Sequence, residues 1–123
     1  MVKRMALAAA CAGLLVAGVS VSPVVAAPAA WSDCPPGHFC VFEDANGGAL
    51  MYAWDECSPN IKNIGSVGEG DKVSSYWNRS RFRGDLYDWQ GFWSRHHIAP
   101  ANGPQINLPG PNNDITDGVQ VVC

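Results

Sequence analysis

Three groups of residues have types and spacings that bear on chemistry. The first is cysteine: Cys34, Cys40, Cys57 and Cys123 follow a fifth, Cys11, near the start. An even set of four in a small exported chain reads as two disulfides, and the lack of a Cys-x-x-Cys spacing argues against zinc. Three pairings exist. Cys34 and Cys40 enclose Pro35-Pro36-Gly37-His38-Phe39, a turn able to bring their sulfurs together, which leaves Cys57 for Cys123. On the chain-entropy view the short loop stabilises by about 2.4 kcal/mol and the long one by about 4.4 kcal/mol.

The second group is the adjacent pair His96 and His97, metal-binding side chains by type. Neighbours on an extended segment point to opposite faces. The pair is therefore poorly placed to share one ion, and plain exposure in a loop is the competing reading. The third group is Trp89-Gln90-Gly91-Phe92-Trp93-Ser94-Arg95, which gathers aromatic rings around a turn. Rings of this size build small cores; whatever part stays exposed is a candidate patch for a partner. Phe92, Trp93, Arg95, His96 and His97 form the candidate binding loop, within a stretch from Phe92 to Gln105. Enzyme signatures are absent. The chain has no Gly-x-Ser-x-Gly elbow and no His-Glu-x-x-His helix. Acid pairs such as Glu43-Asp44 and Asp55-Glu56 are sequence neighbours whose side chains diverge on a strand. The expectation is a non-enzyme.

The elements that must hold these side chains begin after a leader. Lys3 and Arg4 precede an apolar run from Met5 to Val19, and small residues follow as far as Ala29. This is the pattern of a secretory signal, residues 1–29, with Ala27-Pro28-Ala29 fitting the small-x-small cleavage rule. The apolar run is shorter than the roughly 20 residues of a spanning helix. Cys11 lies inside that run and not after it, which argues against a lipid-anchored form. The expected mature protein, residues 30–123, is one secreted, extracellular domain with no membrane attachment. It keeps six basic and eleven acidic residues, a formal charge of −5. An acidic surface disfavours nucleic acid and anionic lipid and suits a cation or a basic protein partner. A domain this small needs covalent help to stay folded.

Within it the signals are extended. Val41 to Glu43 reads as a strand, Asp44 to Gly48 as a turn, and Ala49 to Trp54 as the return, with Leu50, Tyr52 and Trp54 on one face. Asp55 to Gly70 reads as a crossing connection with a short helical turn near Asn60 to Ile64. Asp71 to Asn78 is the next strand, ending at a nominal glycosylation sequon, Asn78-Arg79-Ser80. Asp85 to Trp89 echoes the first strand, Gln90-Gly91 its turn and Phe92-Trp93 its return. The proline and glycine density from His96 to Pro111 predicts a long surface loop, and Val119 to Cys123 a closing strand. Two similar halves of this kind give an all-β, disulfide-stapled Greek-key sandwich.

The run Cys34-Pro35-Pro36-Gly37-His38-Phe39-Cys40, then Asn46-Gly47-Gly48, then Asp71-Lys72-Val73-Ser74-Ser75-Tyr76-Trp77-Asn78 resembles a secreted actinobacterial family. It is the peptidase inhibitor family typified by the Streptomyces metalloproteinase inhibitor (inhibitor family thirty-six), whose fold is βγ-crystallin-like. The resemblance implies a Cys34–Cys40 bridge, Greek keys and a rigid surface loop blocking a metallo- or other extracellular protease. The type inhibitor carries its reactive bond on a loop closed by its own disulfide. This chain has no cysteine between Cys57 and Cys123, so no residue inherits that role. The βγ-crystallin calcium motif has two Asn/Asp residues, two variable positions, then Ser/Thr and Ser. Here Asp71, Ser74 and Ser75 keep the hard oxygen donors that calcium requires, Gly70 stands at the first position, and Glu69 is a candidate replacement. A second copy, from Asn113 to Gly118, keeps its acids and loses the hydroxyl pair. The competing reading is that Ser74 and Ser75 bond the turn backbone. The alternative function is an extracellular calcium-binding or purely structural domain with no protease target.

Overall fold

The computed structural model describes residues 30–123; the expected leader, with its cleavage site and Cys11, lies outside them. Eight strands follow in order: β1 Phe39–Phe42, β2 Leu50–Trp54, β3 Lys62–Asn63, β4 Ser75–Asn78, β5 Arg83–Trp89, β6 Trp93–Ala99, β7 Gln105–Asn107 and β8 Gly118–Val122. Two four-stranded antiparallel sheets result, with orders β2-β1-β4-β7 and β3-β8-β5-β6. Each half of the chain contributes four strands, and the third strand of each half, β3 or β7, joins the other half's sheet. That exchange ties the two Greek keys into one sandwich.

The core lies between the sheets and is made by Phe39, Val41, Ile64, Val73, Tyr76, Leu86, Ala99, Leu108, Val119 and Val121. β1 does not alternate: all four of its residues are buried. Phe39 and Val41 face the main core, while Cys40 and Phe42 lie under a second cluster with Cys34, Trp31, Ala53 and Trp77. The Cys34–Cys40 bridge thus works as part of a lid over the outer face of its sheet. The second bridge joins Cys57 to Cys123. Both pairings agree with the loop argument. A Cβ at Gly84 would run into the Phe39 ring, so only glycine lets β5 close over this core.

Several sequence expectations need correction. The helical turn near Asn60 to Ile64 is strand β3, too short at two residues to show any periodicity. The long loop expected from His96 to Pro111 is instead the second half of β6, a tight turn, β7 and a 3₁₀ turn at Gly110–Asn112. Proline at positions 100, 104 and 109 falls between these elements and Pro111 lies within the 3₁₀ turn, so none occupies a strand position where a ladder N–H is needed. The strand expected from Asp71 starts only at Ser75. The Asn78 sequon is closed to a glycan. Its side chain is fully buried, donates to the Phe82 and Ala99 carbonyls at 2.7 and 3.1 Å, and accepts from the Ser80 hydroxyl at 2.7 Å.

Candidate functional site

Two short loops, one ahead of β4 and one ahead of β8, lie side by side at one end of the sandwich. The Asp71 N–H donates to the Thr116 carbonyl at 2.9 Å, and the Asp114 N–H donates to the Val73 carbonyl at 3.0 Å. Asp71 and Asp114 both adopt left-handed backbone, φ 59° and 58°, a conformation that aspartate tolerates better than most residues. The loops are related by the same two-fold likeness as the Greek keys. Ser74 of the first donates to the Asp114 carboxylate at 2.8 Å, beside Glu43 and Asp44. At the matching place, Asp117 of the second loop meets Asp71 and Asp88, with one carboxylate oxygen from each within 4.8 Å of the others.

Of the three residues grouped by the calcium motif, Asp71 stands between the two clusters: it meets Asp88 and Asp117 and also lines the hollow that holds Ser74, Asp114, Glu43 and Asp44. Ser75 belongs to neither: it is fully buried, donates to the Asp44 carbonyl at 2.7 Å and accepts from the Gly47 N–H at 3.2 Å. For Ser75 the backbone-bonding reading is the one the geometry takes. Glu69 pairs with Lys72 at 3.8 Å and does not join the carboxylates. Sequence reasoning missed Asp88, and had Asp117 only as an acid of the second motif copy, not as a neighbour of Asp71. Asp88 sits near the end of β5 where Glu43 follows β1, and Asp117 stands at the serine position of the second motif copy; the halves' likeness was the available signal. Burial, with the neighbouring Asp71 and Asp88 charges adding to it, pushes the Asp117 carboxyl above its usual value, partly opposed by the Trp89 N–H bond. Among the described residues no lysine or arginine pairs with these three acids. Their donor set, hard oxygens on convergent loops, fits calcium.

The aromatic segment forms the β5–β6 hairpin beside this cluster. Gly91 turns it at φ 83°. The Trp89 N–H donates to Asp117 at 3.0 Å, the Gln90 N–H to the Phe92 carbonyl at 3.0 Å, and the Gln90 amide to Asp88 at 2.9 Å. Trp89 and Trp93 pack edge to face, with centroids 4.9 Å apart. Trp89 is 54 % exposed and Phe92 61 %. With Asn63, Gly65, Ser66 and Asp117, the two indoles line a cleft of about 350 Å³.

The remaining members of the expected binding loop stand on β6 and not on a loop. Arg95 reaches the buried Asp85 carboxylate at 3.4 Å, which Arg83 also grips at 2.9 and 3.0 Å. Leu86 pairs with His97 and Tyr87 with Arg95, leaving His96 as an extra residue in a β-bulge. The expectation of exposure in a loop is corrected: both imidazoles lie half-buried on β6, each bonded to a different partner. His97 Nε2 bonds the Tyr76 hydroxyl at 2.9 Å and His96 Nε2 the Thr116 hydroxyl at 3.0 Å, both partners being buried. Burial holds both imidazoles below their usual value, and for His96 the neighbouring His97 adds to it. Both are half-buried groups bonded to interior hydroxyls.

The fold has a solved counterpart. A single-site mutant of a βγ-crystallin domain from Clostridium beijerinckii superposes with a TM-score of 0.51 at 16 % identity, covering 68 % of this chain and 94 % of that one. A double mutant of a βγ-crystallin domain from the same organism gives 0.48 at 17 % identity, covering 68 % and 93 %. Identity this low speaks to the fold alone, which is βγ-crystallin-like. No curated protein matches the chain. The sequence profile described as peptidase inhibitor family I36 matches residues 27–98, from ahead of the first bridge through both loops' partners on β1 and β5 to β6. Matched over more than half its length, on the segment that builds the first Greek key and the aromatic hairpin, the chain belongs to peptidase inhibitor family I36.

Proposed function

We propose that this domain acts outside the cell and blocks an extracellular protease with the β5–β6 hairpin tip. Family membership supports a peptidase-inhibitor-like role in general. The observation that carries the finer reading is an apolar tip held rigid from within. Phe92 and Trp89 are the most exposed aromatic side chains of the chain's described part, on a turn whose backbone is fixed by Asp117 and its own Gln90–Phe92 bond, with the Gln90 side chain tied to Asp88. An apolar residue on a pre-organised turn loses little entropy on entering a cleft. Of the residues first expected to contact the protease, this assigns the role to Phe92, with Trp89 added. Arg95, His96 and His97 serve the scaffold. The test is titration against a thermolysin-like metalloprotease and a panel of other extracellular proteases. Stoichiometric slowing of one of them is expected, weakened about 10-fold or more by Phe92→Ala, on the scale of a central contact residue. Full activity of every protease at excess domain sinks the reading.

The carboxylates favour a second role for the same end of the molecule. Asp71, Asp88 and Asp117 would hold a calcium ion, whose charge removes their mutual repulsion and fixes the hairpin through the Trp89–Asp117 bond. A ligand bound by the folded state alone stabilises it by about 2.7 kcal/mol at 100 times its Kd. Melting in millimolar calcium should exceed that in chelator by several degrees, and Asp117→Asn should abolish the difference. An unchanged melt removes calcium and leaves the loops a structural role.

A further inference from the structure

The Trp89–Trp93 cleft has walls suited to one kind of guest. Its indoles meet at 67° with centroids 4.9 Å apart, making an aromatic corner and not a flat platform. Asp117 supplies the one formal charge among its lining residues, and Asp71 and Asp88 place two further carboxylate oxygens within 4.8 Å of it. No basic residue lines the cleft. The polar side chains opposite are already engaged: Asn63 accepts from the Ser66 N–H at 2.9 Å, and the Ser66 hydroxyl donates to the Asn63 carbonyl at 3.2 Å. That leaves few free donors for a hydroxyl-rich guest. An aromatic face and a carboxylate together attract an organic cation, through the ring quadrupole and through charge. At about 350 Å³ the cleft is far larger than a metal ion and accommodates an alkyl ammonium or guanidinium group with its stem.

We propose that this cleft binds a lysine or arginine side chain projecting from a protein partner. The inference rests on the inhibitor reading only for the partner being a protease; the chemistry of the cleft stands without it. Charge complementarity points the same way, since the described domain carries eleven acids against six bases. Phe92 directly precedes Trp93 of the cleft wall in the same hairpin, so the tip and the cleft would grip one partner together.

The test uses small probes and the intact domain in chelating buffer. Nα-acetyl-lysine methylamide and Nα-acetyl-arginine methylamide are titrated while the indole N–H resonances of Trp89 and Trp93 are followed by NMR. Both probes should shift these two signals saturably, and the isosteric norleucine derivative should not. Trp89→Ala and Asp117→Asn should each weaken binding by about 5-fold or more, the scale of one cation–π or charge contact. Trp89 is half exposed and Asp117 lies in a loop, and their melts check that each variant is folded. Equal response to norleucine, response only to a methyl glucoside, or unchanged affinity in both variants overturns the proposal. Phe92→Ala separates the two readings. It should lose protease inhibition and keep lysine binding. A domain that inhibits but ignores the cationic probes refutes this inference alone, and one that binds them but inhibits nothing refutes the inhibitor reading alone.

Discussion

His96 and His97 illustrate how a residue's chemistry follows its surroundings and not its type. Both are neutral-favouring in the fold, held below the ordinary value of 6.5 chiefly by burial. His96 faces Thr116 and, at longer range, His97 and Asp88; His97 faces Tyr76 and Asn112. The unfolded chain takes up their protons near pH 6.5 and the folded one only at lower pH. Their contribution is therefore complete above about pH 6.5 and is lost as pH falls toward the folded values. Both rings keep part of their surface wet, so solvent screening reduces the loss without changing its direction. Tm should therefore fall on acidification through this range. Thermal melts from pH 7.5 to 5 should show that fall, and His96→Asn with His97→Gln should flatten it. An identical pH profile in the double variant would show that other groups titrate.

Among the elements, β6 changes meaning most between sequence and structure. Its residues Trp93-Ser94-Arg95-His96-His97-Ile98-Ala99 carry no clean alternation, because the bulge at His96 shifts the side-chain period midway. Read linearly the segment merges into the proline-rich stretch after it. In three dimensions it is an edge strand of the second sheet, and edge strands tolerate such irregularity. β3 and β7 are short for a related reason. Each lies at a sheet edge and is recruited by the opposite half of the molecule, through Lys62–Val119 and Tyr76–Ile106 pairs. Local sequence has no bearing on a pairing made across the chain. The hairpin β5–β6, by contrast, was legible from Gln90-Gly91 between aromatic runs, because a two-strand turn is a local event.

At the scale of the whole molecule, the two bridges and the strand exchange divide the labour. Cys34–Cys40 is buried and closes a lid; Cys57–Cys123 reaches from the first crossing connection to the last residue. The long bridge restrains the unfolded chain most, by about 4.4 kcal/mol on the entropic model. Small domains have only about 5–15 kcal/mol of stability in all. Cys57→Ala with Cys123→Ala should therefore lower the urea midpoint sharply while leaving the β-sheet spectrum intact at low temperature. A loss below about 1 kcal/mol would mean that the unfolded chain is already compact and gains nothing from the cross-link.

The amino-acid order alone determined the class of fold, the four cysteines as two bridges, the aromatic turn and the family. Each of these depends on neighbours in the chain or on composition: a turn between cysteines, period-two runs, glycine at tight corners. Tertiary structure decided which acids meet, that Ser75 and Asn78 are interior bonding groups, and that the histidines face inward. Those outcomes depend on strand exchange and on one bulge, contacts between residues far apart in sequence whose geometry no local pattern encodes.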